Sequence, residues 1–187
     1  MIILASASPR RQELLRNAGV RFEVQPADIN ETPLSGESPR DCTERLAREK
    51  AITVSRKRPG DYVLGADTIV VIDEAILGKP RDAADAARML RLLSGRTHEV
   101  ITGVCVVSPV AGDSEQASET TRVTMREISD DEIRDYIATG EPMDKAGAYA
   151  IQGIASRWIP RIEGDYSNVV GLPVALVYRI LKRRGAI

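Results

Sequence analysis

Residues 2–18 leave few options for the fold. Ile2-Ile3-Leu4-Ala5 is a short apolar run without polar alternation, the pattern of a strand buried on both faces. Ser6, Ala7 and Ser8 are small, Pro9 follows, and Leu14, Leu15 and Ala18 then share one helical face. The order is strand, short loop, helix. Ser8 suits the N-cap, because its hydroxyl can accept from an orphan backbone N–H. Pro9 suits the first helical position, where its missing N–H costs nothing. Arg10 and Arg11 come next, so two guanidinium groups meet the positive end of the helix. That placement is unfavourable alone and favourable beside an anion with several oxygens.

The rest of the chain extends this start. Gly19 lies just past the helix end. Phe22-Glu23-Val24 reads as a second strand. Residues 26–39 are loop-like, with Pro26, Pro33, Gly36 and Pro39 among polar residues that include Asn30 and Glu31. Ser38-Pro39 repeats the cap pattern and opens a helix to about Arg56, with Leu46, Ala47, Ala51 and Val54 on its buried side. Residues 62–65 form a strand that ends in small residues and runs into Ala66-Asp67-Thr68, and residues 69–72 continue extended. Asp73-Glu74 turns the chain into a return strand over 75–77. After Gly78-Lys79-Pro80, Asp82 caps a helix carrying Ala86, Ala87, Leu90 and Leu93, ended by Gly95.

A strand over 97–107, a tip over 108–117 with Pro109, Gly112 and Asp113, and a returning strand over 120–128 make a hairpin. Ser129 and Glu132 form a capping box for a helix closed by Gly140. Residues 141–156 read as loop with one helical turn, Trp158-Ile159 and Arg161-Ile162 as a strand, 164–171 as loop, and 173–183 as the last helix. Strands alternate with helices early and a hairpin interrupts later. The prediction is an α/β fold with a mixed sheet.

Charge excludes several classes of function. Lys and Arg total 26, Asp and Glu 27, and the net charge is −1, which argues against a broad nucleic-acid surface or a polybasic membrane patch. A phosphate site confined to one place is compatible with it. No apolar run approaches the roughly 20 residues that span a bilayer. The first apolar run has no basic residues before it and meets Arg10 too soon for a secretory leader. Cys42 and Cys105 make no metal-type pair, so a cytoplasmic setting with both thiols reduced is expected.

The chemistry must lie in polar residues beside strands and tight loops. Asp67 follows Gly65-Ala66, where backbone or ligand can come close. Its carboxylate either caps a turn, holds a hard divalent cation, or takes a proton from water. Glu31 is either a second functional carboxylate or a solvated loop acid. Lys50 on its helix, Lys79 in its tight loop and Lys145 beside Asp144 are cations with the same double reading. Gln152 could read a base edge through its two-sided amide or fill a turn. His98 is the single histidine and reads as structural. There is no G-x-x-x-x-G-K-[ST] loop, no G-x-G-x-x-G loop and no nucleophile elbow. Cations with a few carboxylates fit metal-assisted displacement at phosphorus better than acyl transfer or redox chemistry.

These residues carry a resemblance. Leu4-Ala5-Ser6-Ala7-Ser8-Pro9-Arg10-Arg11, Leu46-Ala47-Arg48-Glu49-Lys50-Ala51, Gly65-Ala66-Asp67-Thr68, Gly78-Lys79-Pro80, residues 93–98, residues 140–149, Ile151-Gln152-Gly153 and Val170-Gly171-Leu172-Pro173 resemble, in order, the Maf family of nucleoside triphosphate pyrophosphatases. The resemblance implies one Maf-like domain over 1–187, an elongated mixed sheet flanked by helices, and two lobes around a cleft. It also implies a divalent cation, Mg²⁺ or Mn²⁺, a homodimer, and a nucleoside triphosphate as substrate. Asp67 matches the proton-accepting aspartate, and Arg10, Thr68 and Gln152 match positions that mark the branch acting on dTTP and UTP. Ser8, Arg11, Lys50 and Lys79 match phosphate-binding positions, and Glu31 with Asp67 the metal ligands. Asn30 departs from relatives that carry a second acid beside the glutamate. The alternatives are a 7-methyl-GTP pyrophosphatase and a non-catalytic nucleotide-binding regulator of septum formation.

Overall fold

A computed structural model of the chain describes residues 1–110 and 113–187. Ala111 and Gly112, in the expected hairpin tip, lie outside the described residues. The elements in order are β1 (Ile2–Leu4), α1 (Pro9–Asn17), β2 (Glu23–Val24), α2 (Pro39–Ser55), β3 (Tyr62–Ile72), β4 (Ala75–Leu77), α3 (Ala83–Leu93), β5 (Thr97–Val107), β6 (Ser114–Thr124), α4 (Asp130–Ala138), β7 (Arg161–Glu163), α5 (Tyr166–Val170) and α6 (Val174–Arg183). The sheet has seven strands in the order β2-β1-β3-β5-β6-β7, with β4 also paired to β3. β1 runs parallel to β2 and β3, whereas β4 is antiparallel to β3 and β7 to β6. The mixed sheet expected from the sequence is present.

The chain divides into two compact units. The first comprises Met1–Thr68, Thr102–Glu119 and Gly171–Ile187, and the second Ile69–Ile101 and Thr120–Val170. In the first, strand alternation sorts the core onto two faces. Ile3, Ala5, Val63 and Cys105 pack with Ala47, Ala51 and Val54 of α2. Ile2, Leu4, Leu64, Ala66, Val104 and Val106 pack with Leu15 of α1 and with Leu172, Leu176, Val177, Ile180 and Leu181. Both thiols are free and buried, and burial pushes each up to about 11, so neither is reactive near neutrality.

α2 lies unusually close to its strands. A Cβ on Gly65 would overlap the Ala47 carbonyl oxygen and stand 2.8 Å from Ala51 N. A Cβ on Gly103 would overlap the Thr43 carbonyl and stand 2.7 Å from Glu44 N. Two glycines on β3 and β5 thus let the α2 backbone rest on the sheet.

In the second unit, Ile69, Val71 and Ile101 pack with Ile76. Trp158 is fully buried, meets Tyr136 edge-on at 5.1 Å between ring centroids, and donates to Glu132 at 3.1 Å.

Several expected boundaries change. β3 is one strand through residue 72, so Asp67 sits inside it rather than past its end. β6 begins at Ser114, not residue 120, and stops at Thr124, not residue 128. Its first half is polar and half-exposed, so no apolar alternation announces it. Residues 154–158 form a 3₁₀ turn instead of entering a strand, and two shorter 3₁₀ turns cover Glu141–Asp144 and Ala146–Ala148. α5 replaces an expected loop. Asp165 Oδ1 accepts from Ser167 N at 2.7 Å and Asn168 N at 3.3 Å, tying its first turn in a helix too short for periodicity to reveal.

Candidate active site

The loop after β1 is held by a buried arginine. Ser8 caps α1, with its Oγ 3.5 Å from Arg11 N. Arg11 Nε donates to Gly171 O at 2.7 Å, one terminal nitrogen donates to Ala66 O at 2.9 Å and Ser6 Oγ at 3.1 Å, and the other donates to Thr68 Oγ1 at 3.0 Å. The Thr68 hydroxyl also lies 2.9 Å from Thr102 Oγ1 and 3.2 Å from Gly171 O. Burial pulls the Arg11 guanidinium below its ordinary value, Asp67 opposes the shift and Arg10 adds to it. Arg11 and Thr68 therefore lock the start of α1 to β3 and to the Gly171 carbonyl. Most of their bonding capacity goes into that lock. Arg10, beside Arg11, is half-exposed.

On the other face of β3 stands the acidic pair. Val63 packs toward α2, and so by the two-residue period do Gly65 and Asp67, whereas Thr68 points with Leu64 to the α1 face. The close approach at Gly65 sets α2 where Lys50 can reach Asp67. Lys50 Nζ is 2.7 Å from Asp67 Oδ1 and 2.7 Å from Glu31 Oε1. Lys50 and Asp67 are buried, while Glu31 keeps 55% of its side chain exposed. One ammonium between two carboxylates leaves the cluster with an excess negative charge, and Glu31 opens that cluster to solvent.

The carboxylates also suit a cation. Among the described residues no group of three or more His, Cys, Asp or Glu could hold a metal by itself. Glu31 and Asp67 converge on one positive centre, Lys50 Nζ, and offer hard oxygen donors. Such a donor set fits Mg²⁺ or Mn²⁺, which takes one or two carboxylates and completes its shell with water and phosphate oxygens.

The remaining expected residues lie on the second unit. Lys79 is exposed beside Gly78, whose carbonyl accepts from Gly147 N at 3.1 Å. Gln152 is exposed in a turn between Ile151 and Gly153. Lys145 donates to Asp144 at 2.6 Å and to Glu141 O at 2.7 Å. Glu141 stands in the 140–149 motif without a role assigned from the sequence. Its carboxylate accepts from Tyr136 Oη at 2.8 Å and Ile154 N at 3.1 Å, bracing the turn that presents Gln152. Ser6 and Gly171 stood in the motifs without a role and Thr102 carried no signal, because only the fold brings them together around Arg11 and Thr68.

His98 is structural, as expected. It is buried, its Nε2 lies 2.7 Å from Tyr149 Oη, and its Nδ1 has no partner among the described residues. Burial pulls its pKa down from 6.5 to about 4. The unfolded chain therefore binds a proton between these values that the folded chain refuses. Its stability contribution is complete above 6.5 and is lost as pH falls toward about 4. Urea midpoints at about pH 5 and about pH 7.5 should show His98→Gln abolishing about 2 kcal/mol of the wild-type pH dependence. An unchanged dependence would remove His98 as its source.

A mixed sheet with a lysine–carboxylate cluster on one face of β3 and a serine-capped helix start on the other defines an α/β protein. The fold is similar to that of a HAM1 protein from Coxiella burnetii, with a TM-score of 0.51 at 16% identity over 97% of this chain and 98% of the other. The sequence profile of the Maf-like proteins matches residues 1–184, and the chain belongs to that family. It is 61% identical over all of its length to the dTTP/UTP pyrophosphatase of Koribacter versatilis (strain Ellin345), covering 95% of that relative. It is 56% identical to that of Geotalea uraniireducens (strain Rf4) and 53% to that of Geobacter sulfurreducens (strain ATCC 51573 / DSM 12127 / PCA), in each case over its full length and at least 96% of the relative.

Proposed function

We propose that this chain is a nucleoside triphosphate pyrophosphatase that converts dTTP and UTP to the monophosphate and pyrophosphate. The observation that carries the reading is Lys50 held 2.7 Å from both Asp67 and Glu31, in a chain whose curated relatives at 53–61% identity bear that enzyme name. Water adds to the α-phosphorus, the bond from that phosphorus to the bridging oxygen breaks, and pyrophosphate leaves with the electron pair. Asp67 Oδ1 is engaged by Lys50, which leaves Oδ2 either to take the water proton or to share the divalent cation. Glu31 would hold that cation, which would supply positive charge against the phosphate oxygens. Lys50 and Arg10 add positive charge toward the anionic oxygens, with the capped α1 start at Ser8 as a further donor site. Arg11 and Thr68 serve first as the lock that places the α1 start beside β3. For the second unit we carry over the roles implied by resemblance, Lys79 toward phosphate and Gln152 toward the base.

The test is pyrophosphate release with Mg²⁺ or Mn²⁺ over dTTP, UTP, dCTP, dATP and 7-methyl-GTP. dTTP and UTP should lead the others by about tenfold or more, a modest difference in transition-state binding, and chelation of the metal should stop release. Turnover led by 7-methyl-GTP, or tight nucleotide binding without pyrophosphate, would reject the reading.

A further inference from the structure

Glu31 is the loosest member of the cluster by location. Lys50 and Asp67 sit on a helix and a strand, whereas residues 30–36 are all exposed loop. A ligand must be held to about half an ångström to be useful, and an unbraced loop does not do that. The loop has its own bracing. Asn30 Oδ1 accepts from Thr32 N at 3.0 Å and from Thr32 Oγ1 at 2.7 Å, closing a turn around Glu31 itself. Arg45 then reaches across from α2. One terminal nitrogen donates to Thr32 O at 3.3 Å and to Glu37 Oε2 at 2.9 Å, while its Nε donates to Glu37 Oε1 at 2.6 Å. The other terminal nitrogen bonds Glu49 at 3.2 Å, one turn along α2. Glu37 Oε2 also accepts from Leu34 N at 3.1 Å. The Arg45 fork holds the Glu37 carboxyl down to about 2 against the opposing effect of burial, so the carboxylate stays ionised near neutrality.

We propose that Arg45 is a positioning residue, which with Glu37 and Asn30 fixes the Glu31 carboxylate in place to receive the divalent cation. The inference rests on the reading of Glu31 as a metal ligand. It also accounts for Asn30, whose amide oxygen closes the turn without adding a further negative charge beside Glu31. The arm of the clamp is anchored on the same helix that carries Lys50, so Glu31 and Lys50 are placed by one element.

Mn²⁺ binding to the full chain without nucleotide, followed by electron paramagnetic resonance, tests this. Arg45→Ala and Glu31→Gln should each weaken Mn²⁺ by about tenfold or more, the usual effect of removing a ligand or its support. Charge alone predicts the opposite for Arg45→Ala, because losing a nearby cation tightens a cation site. The double variant should bind no more weakly than Glu31→Gln, since the two act through one group. Arg45→Lys keeps the charge but loses the fork, and should fall between Arg45→Ala and wild type. Without metal, the Thr32 and Leu34 amides should exchange faster in Arg45→Ala while the α2 amides stay protected. Unchanged Mn²⁺ binding in Arg45→Ala beside weakened binding in Glu31→Gln would overturn the clamp and leave the ligand. Equal weakening by Arg45→Ala with and without Glu31→Gln would also overturn it. Normal binding in Glu31→Gln would overturn the ligand reading itself, and this inference with it.

Discussion

Asp67→Asn is expected to lower pyrophosphate release from dTTP and UTP by about 10²–10⁴-fold, the range of a general base, with the fold retained. The rate argument is that an amide cannot take the water proton. The stability argument is that little else changes. The Asn oxygen can still accept from Lys50 Nζ, now 2.7 Å from Asp67 Oδ1, and Lys50 keeps Glu31 as a counter-ion at the same distance. An uncompensated buried charge, the usual cause of a large loss when one partner of an ion pair is removed, is therefore avoided. The thermal midpoint should stay within a few degrees, roughly the effect of 1 kcal/mol in a chain of this size. Near wild-type turnover would remove Asp67 from the reaction. A loss restored by more Mn²⁺ would assign Asp67 to metal holding, and a loss indifferent to metal assigns it to the proton.

How much of this was legible in the sequence depended on whether a residue acts locally. The Ser8-Pro9, Ser38-Pro39 and Ser129–Glu132 caps were readable because capping is a contact within one turn. β1 was readable as a strand buried on both faces because its apolar run has no polar alternation. Asp67 was marked by the small residues before it, though placed at a strand end and not inside β3. Membership of the Maf-like family was carried by motifs spread over the chain. What stayed hidden was the use of each motif residue. For Arg11, the motif did not show that its donors run to Gly171 O, Ala66 O, Ser6 and Thr68, partners up to 160 positions away. Arg45 and Glu37 carried no signal, because nothing in a linear pattern shows a fork closing on a loop. Gly65 was readable as a point of close approach by backbone or ligand, and the fold uses it for the backbone of α2.

That last use leads to the largest expected loss of stability. Gly65→Ala should cost about 3 kcal/mol or more, the upper end for overpacking, and lower the thermal midpoint by roughly 6–12 °C. The added methyl would meet the Ala47 carbonyl, Ala51 N at 2.8 Å and Ala51 Cβ at 3.0 Å. Two of these are backbone atoms inside α2, so no rotamer change clears the space, and the helix must move as a body. Lys50 travels with it, because it lies on the same helix between Ala47 and Ala51. Asp67 shares the strand face with Gly65 and stays behind. The variant should therefore lose activity beyond its loss of folded protein, since the ion pair at 2.7 Å cannot survive a shift of the helix by about an ångström. Gly60→Ala is the control, because nothing lies within 4 Å of its added Cβ, and it should stay within about 0.5 kcal/mol of wild type. Urea unfolding of both variants, with dTTP turnover measured per folded molecule, separates the outcomes. A Gly65→Ala protein as stable as the control would show that α2 does not rest on β3 at this point. A destabilised one with full turnover per folded molecule would show that the helix position does not set the Lys50–Asp67 pair.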